Sequence, residues 1–79
     1  MDIKDFIEKI EEEFDDIEKG TLTPDSKFRE HFEWNSINAL IFIALVDAEY
    51  EVTINAEDFN KSETIQDLFN RICEKKNNQ

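Results

Sequence analysis

Apolar residues return at spacings of three and four along the start of the chain: Ile3, Phe6, Ile7, Ile10, Phe14 and Ile17, with nearly every position between them charged. A single apolar stripe on a charged cylinder is the pattern of a surface helix laid against a core. It predicts a helix from about Asp2 to Lys19. Gly20 stands just beyond the last periodic residue, where helices commonly end in a left-handed conformation. The period then lapses from Thr21 to Asn35, which reads as a long loop. Within it Thr23-Pro24-Asp25 can open one short turn, with Thr23 as cap and Pro24 at the first helical position. Leu22, Phe28 and Phe32 are expected to plug the loop onto the core.

The period resumes at Ser36 and predicts a second helix from Ser36 to about Tyr50, with Asn35 suited to cap it. With residues at about 100° each, Ala39, Phe42, Ile43, Val46 and Tyr50 form a core stripe. The opposite side carries Ile37, Ile41, Ala44 and Ala48, flanked by Leu40 and Leu45, so it is apolar too. In a bundle this small, burying both faces of one helix is hard to arrange, so this second face is expected to meet a partner. Val52 and Ile54 lead to a short third helix at Asn55 to Asn60. A last helix opens near Thr64, whose spacing to Asp67 resembles a capping box with Asp in place of Glu; its stripe is Ile65, Leu68, Phe69 and Ile72. The expected architecture is all-α: a small four-helix bundle of three longer helices and a short one, with a long loop after the first.

Composition narrows the class. Seventy-nine residues allow one domain, 1–79, with the polar end at about 74–79 expected to fray. One glycine and one proline argue against a sheet built on tight turns. The single Cys73 excludes an internal disulfide framework. The opening lacks the basic-then-apolar form of a secretory leader, and the longest apolar run, Ala39 to Val46, is too short to cross a bilayer. A cytoplasmic protein without membrane insertion is expected. Nine basic residues against twenty acidic leave a net charge of -11, a field that repels nucleic acid and attracts proteins with basic docking patches.

Enzyme constellations are missing from the sequence, and no catalytic role is expected. His31 is the only histidine and Cys73 the only cysteine, so neither a histidine cluster nor a thiolate zinc site can form. No glycines flank Ser36 to make a nucleophile elbow. Glu11-Glu12-Glu13 and Asp15-Asp16 lack the spacing and glycine of a calcium loop and read as a solvated helix face. Trp34 reads as a core or cap residue that could also shield the base of a group attached nearby. Ser36 remains: a hydroxyl at the start of the second helix. By position alone it is an ordinary first-turn serine, but a phosphodiester joined there would gain from the helix dipole and free backbone N–H groups.

The order of these pieces carries a resemblance. A long loop leads to Trp34-Asn35-Ser36-Ile37 and a long apolar helix. Then come Asp47-Ala48-Glu49-Tyr50, Val52-Thr53-Ile54 and finally Glu63-Thr64-Ile65-Gln66-Asp67-Leu68. Nearly the whole chain is similar to the acyl carrier and peptidyl carrier proteins, in which an Asp-Ser-Leu motif opens the second helix. The resemblance implies a covalent 4'-phosphopantetheine on Ser36, transferred from coenzyme A by a phosphopantetheinyl transferase. The arm's thiol would hold an acyl or aminoacyl group as a thioester and present it to acyl-loading and acyl-processing enzymes, in lipid or secondary-metabolite biosynthesis. Docking would fall on Asn35, Ile37, Asn38, Ile41, Ala44, Asp47 and Ala48, with the carrier itself a monomer.

The chain departs from the family pattern at informative places. The motif's Asp is Asn35 and its Leu is Ile37; acidic positions along the second helix are Asn38, Ile41 and Ala48, and only Asp47 and Glu49 keep charge near its end. Charge steering thus gives way to apolar contact on that face, which implies a specialised carrier with few partners. The alternative is an unmodified carrier-like module that binds a partner through the same apolar face.

Overall fold

The computed structural model describes residues 2–78. Five helices follow one another: α1 (Ile3–Glu13), α2 (Phe28–His31), α3 (Ser36–Tyr50), α4 (Ala56–Asn60) and α5 (Ile65–Asn77). The all-α expectation holds, with α2 added as a four-residue helix inside the long loop. Among the described residues no helix is long and apolar enough to cross a membrane.

α1 begins as expected, the Asp2 carboxylate accepting from the Lys4 N–H at 3.1 Å, but it stops at Glu13 rather than near Lys19. Phe14 leaves the helix with an extended backbone. The cause is electrostatic as well as conformational. Glu11, Glu12 and Glu13 crowd the negative end of the helix dipole, with no basic residue in the last turn, and Asp15-Asp16 favour turns over helix. Phe14 stays buried and Ile17 packs at the edge of the core, so the apolar spacing outlives the helix. Gly20 does adopt a left-handed backbone, φ 86°, but in the loop rather than at a helix end.

Glu11 also corrects the reading of the acidic run as a solvated face. It is buried, and one carboxylate oxygen accepts from the backbone N–H of Gly20 (3.0 Å) and of Leu22 (3.1 Å), pinning the returning loop to α1. Thr23-Pro24-Asp25 forms the expected turn, closed by the Ser26 N–H donating to the Thr23 carbonyl at 3.0 Å. The helix of this loop starts later, at Phe28, which is fully buried. The loop is then fastened to α5: the N–H groups of Ile65 and Gln66 donate to the carbonyls of Ser26 and Pro24, each at 2.9 Å.

The remaining caps follow the sequence. Asn55 and Asp58 make a reciprocal capping box on α4, and Thr64 and Asp67 make another on α5. Residues 74–77, expected to fray, are instead the last turn of α5. Lys76 donates from Nζ to the Tyr50 carbonyl at 2.9 Å and Lys75 to the Thr53 carbonyl at 3.1 Å. Gln79, placed in that same tail, lies outside the described residues. The core is dominated by rings. Phe42, fully buried on α3, meets Phe14, Phe28, Phe32, Trp34 and Phe59 at centroid separations of 5.3 to 6.3 Å. Aromatic contacts of this kind add specificity beyond area burial.

Candidate functional site

The approach to Ser36 is held by packing on one side and hydrogen bonds on the other. Phe32 is buried against Phe14 (4.6 Å) and Phe42 (5.4 Å). Trp34, two residues on, lies against Phe28 and Phe59, each at 5.0 Å, with the Arg29 guanidinium 5.6 Å from its ring. These contacts fix where the chain enters α3.

Asn35 then caps the helix, its side-chain oxygen accepting from the Asn38 N–H at 2.9 Å, while its carbonyl accepts from Ala39 at 3.0 Å. The Asn38 amide reaches back to the Glu33 carbonyl at 2.5 Å. Asn35 and Asn38 thus knot the first turn around the serine. The substitution of Asn for Asp keeps the cap geometry and removes only the charge.

Ser36 is the first residue of α3 and is exposed. Its own N–H and that of Ile37 face no acceptor among the described residues. The first turn of α3 carries no acidic residue, so the positive end of this 15-residue helix is left unneutralised. An exposed hydroxyl beside two free donors and a positive helix end suits a phosphodiester. These residues fit the group that the resemblance implies.

The proposed docking residues are only partly gathered on one surface. Ile37 and Leu40 stand 68% and 62% exposed, the large apolar side chains left most open to solvent. Ala44, Asp47 and Ala48 continue this exposed strip down α3, while Asn38 is half-buried and committed to its bond with Glu33. Ile41 is half-buried and packs on the core, and Leu45, read as flanking the open face, is buried. α1 and α3 pack against each other, and both residues belong to the packed part of α3. The core stripe holds for Phe42, Val46 and Tyr50. Ala39 and Ile43 are half-buried and line a crevice of about 130 Å³, completed by Trp34, Ala56, Phe59 and Asn60.

Three residues that shape this region were not legible as such. Arg29 donates from both terminal nitrogens, to the Phe59 carbonyl of α4 at 2.6 Å and to the Ser62 carbonyl just beyond it at 2.8 Å. Asp58 is 1% exposed and receives the Arg71 Nε at 2.8 Å and the Lys75 Nζ at 2.5 Å. Burial drives the Asp58 carboxyl upward, but Lys75, the Asn55 N–H and Arg71 outweigh it, and its pKa lies below the usual value. Glu11 is the third. Only Asp58 left a local trace, its three-residue spacing from Asn55 being that of a capping box. His31 is exposed and distant from any such cluster, and among the described residues no group of three His, Cys, Asp or Glu side chains could hold a metal.

No solved structure matches the chain. Among known families, that of the phosphopantetheine attachment site matches residues 4–72, from the first turn of α1 to the last core residue of α5, with Ser36 inside the match. Helical architecture, exposed hydroxyl and matched span agree: the chain belongs to the phosphopantetheine attachment family, whose members carry a covalently bound 4'-phosphopantetheine.

Proposed function

We propose that residues 1–79 act as one carrier domain, that Ser36 is its attachment point, and that the arm bears an acyl or aminoacyl thioester for enzymes of a specialised cytoplasmic pathway. The observation that carries this reading is the exposed Ser36 hydroxyl at an uncapped-by-charge, positive helix end. Ser36 Oγ forms a bond to the phosphorus that becomes the phosphodiester. The bond from that phosphorus to the adenosine-bearing phosphate of coenzyme A breaks, the adenosine bisphosphate leaves, and the hydroxyl proton passes to a base of the transferase. The arm supplies a terminal thiol that holds cargo as a thioester.

Every other task falls to this chain's residues. Asn35 and Asn38 fix the first turn and with it the backbone from which the hydroxyl projects. The free N–H groups of Ser36 and Ile37 are available to the phosphodiester. Ile37 and Leu40 offer apolar anchors to the transferase and to later enzymes, with Ala44 and Ala48 small enough for close approach. No acid, base or metal set in the described residues is given a catalytic role.

Asn35 gives weight to a second reading, an unmodified module binding through the same strip, because the charge of the usual motif is missing there. Intact mass separates the two. With coenzyme A, magnesium and a broad-specificity phosphopantetheinyl transferase, the wild type is expected to gain one phosphopantetheine group and Ser36→Ala none. A folded wild type that gains nothing, even with the transferase of its own source, would favour the unmodified module.

A further inference from the structure

Ser36 and Ile43 lie on one side of α3, two turns apart. Ile43 and Ala39 form one wall of the crevice whose other walls are Trp34, Ala56, Phe59 and Asn60. A cargo folding back from Ser36 along this side of α3 therefore meets this opening. The crevice is shallow. Its volume is about 130 Å³. Its floor is closed by rings rather than by movable aliphatic chains: Phe59 lies 6.3 Å from Phe28 and 6.1 Å from Phe42, and both of these are fully buried.

Deepening the crevice requires α4 to move off α3, and α4 is fastened to two other helices, α5 and α2. Asp58 binds Arg71 and Lys75 of α5 while capping its own helix through the Asn55 N–H at 2.9 Å. Arg29 of α2 holds the carbonyls of Phe59 and Ser62, and its guanidinium lies 4.7 Å from the Phe28 ring. The Ser62 hydroxyl donates to the Asp58 carbonyl at 2.7 Å, closing the end of the helix. Lifting α4 would separate Asp58 from both cations, strip Arg29 of both acceptors and uncover Phe59, which is 3% exposed. These losses would come together.

We infer that α4 is a fixed wall and that this carrier serves short or polar acyl or aminoacyl units, longer chains staying out of the crevice between α3 and α4. The cargo class rests on Ser36 bearing the arm; the fixed wall does not. Two measurements therefore keep the parts distinct.

The first uses the unmodified protein. In amide hydrogen exchange the N–H groups at and just beyond the end of α4, Phe59 to Ser62, are expected to exchange as slowly as those in the middle of α3. Arg29→Ala and Asp58→Asn, the latter keeping the shape of the cap, are each expected to speed α4 at least about tenfold over α3. Arg71→Gln replaces Asp58→Asn should that variant not fold. Exchange in wild-type α4 as fast as in the loop at 15–19 would overturn the fixed wall.

The second uses the protein carrying the arm, loaded with acetyl, butyryl, octanoyl or dodecanoyl groups. Hydroxylamine is expected to cleave all four thioesters at rates within about twofold of one another, with no chain-length shift in the emission of Trp34. A dodecanoyl thioester protected about tenfold over the butyryl one, with a shifted Trp34 emission, would overturn the cargo class. A protein that accepts no arm overturns the reading beneath the cargo class, and the exchange result then stands by itself.

Discussion

At residue 35 one side-chain oxygen does the work that a carboxylate performs in the usual motif. It accepts from the Asn38 N–H at 2.9 Å, and replacement by Ala is expected to lower stability by ~1 kcal/mol. Asn35→Asp keeps the bond and adds a negative charge at the positive end of α3, worth about 0.3–1 kcal/mol. It is therefore expected to raise the melting temperature and to speed modification. Thermal melts and a modification time course check both; an unchanged time course for the Asp variant would mean that the transferase does not read that charge. Asp58 carries a pH prediction. Its folded-state pKa lies below its ordinary 3.8, so its pairing with Arg71 and Lys75 contributes in full above that value. The contribution is lost as the pH falls through the lower, folded value. The melting-temperature gap between wild type and Asp58→Asn is expected to hold from about pH 7 to about pH 5 and to close in stronger acid. A gap that closes between those neutral values would contradict the assignment.

Among the elements, α3 decides both fold and function because its two sides do different jobs. Phe42, Val46 and Tyr50 bury one side, while Ile37 and Leu40 stay in water on the other. Leu40→Glu and Ile37→Glu, alone or together, are expected to change stability by no more than ~0.5 kcal/mol each, as for exposed positions away from special contacts. Both are expected to slow transfer to and from partner enzymes. Melts and transfer rates on the same samples check this, and unchanged transfer would remove the strip from the docking surface. The same helix was the most legible part of the sequence, since Asn35 marks its start and the apolar run its length. α1 was overread because Phe14 and Ile17 keep helical spacing in sequence while contacting the core from a turn. Spacing sets Leu45 beside the open side, yet it is buried, because spacing alone does not say where neighbouring elements cross α3. The fastening of α4 was hidden for a similar reason: Arg71 and Lys75 lie 13 and 17 residues from Asp58, and Arg29 lies 30 from Phe59. Such pairs exist only once the chain has folded.

The whole molecule is a small aromatic core within a strongly acidic shell. The net charge of -11 favours encounter with basic surfaces at long range. On the proposed reading the strip on α3, nearly free of that charge, supplies the contact that lasts. On the same proposed reading what the molecule delivers depends on Ser36, an exposed hydroxyl on a fixed first turn. The most direct test is tandem mass spectrometry of the peptide spanning Glu33 to Asn38, after reaction with coenzyme A and a phosphopantetheinyl transferase. The expected spectrum shows a single added phosphopantetheine on Ser36. An unmodified peptide from folded protein, or an added group on any other residue, would contradict the account.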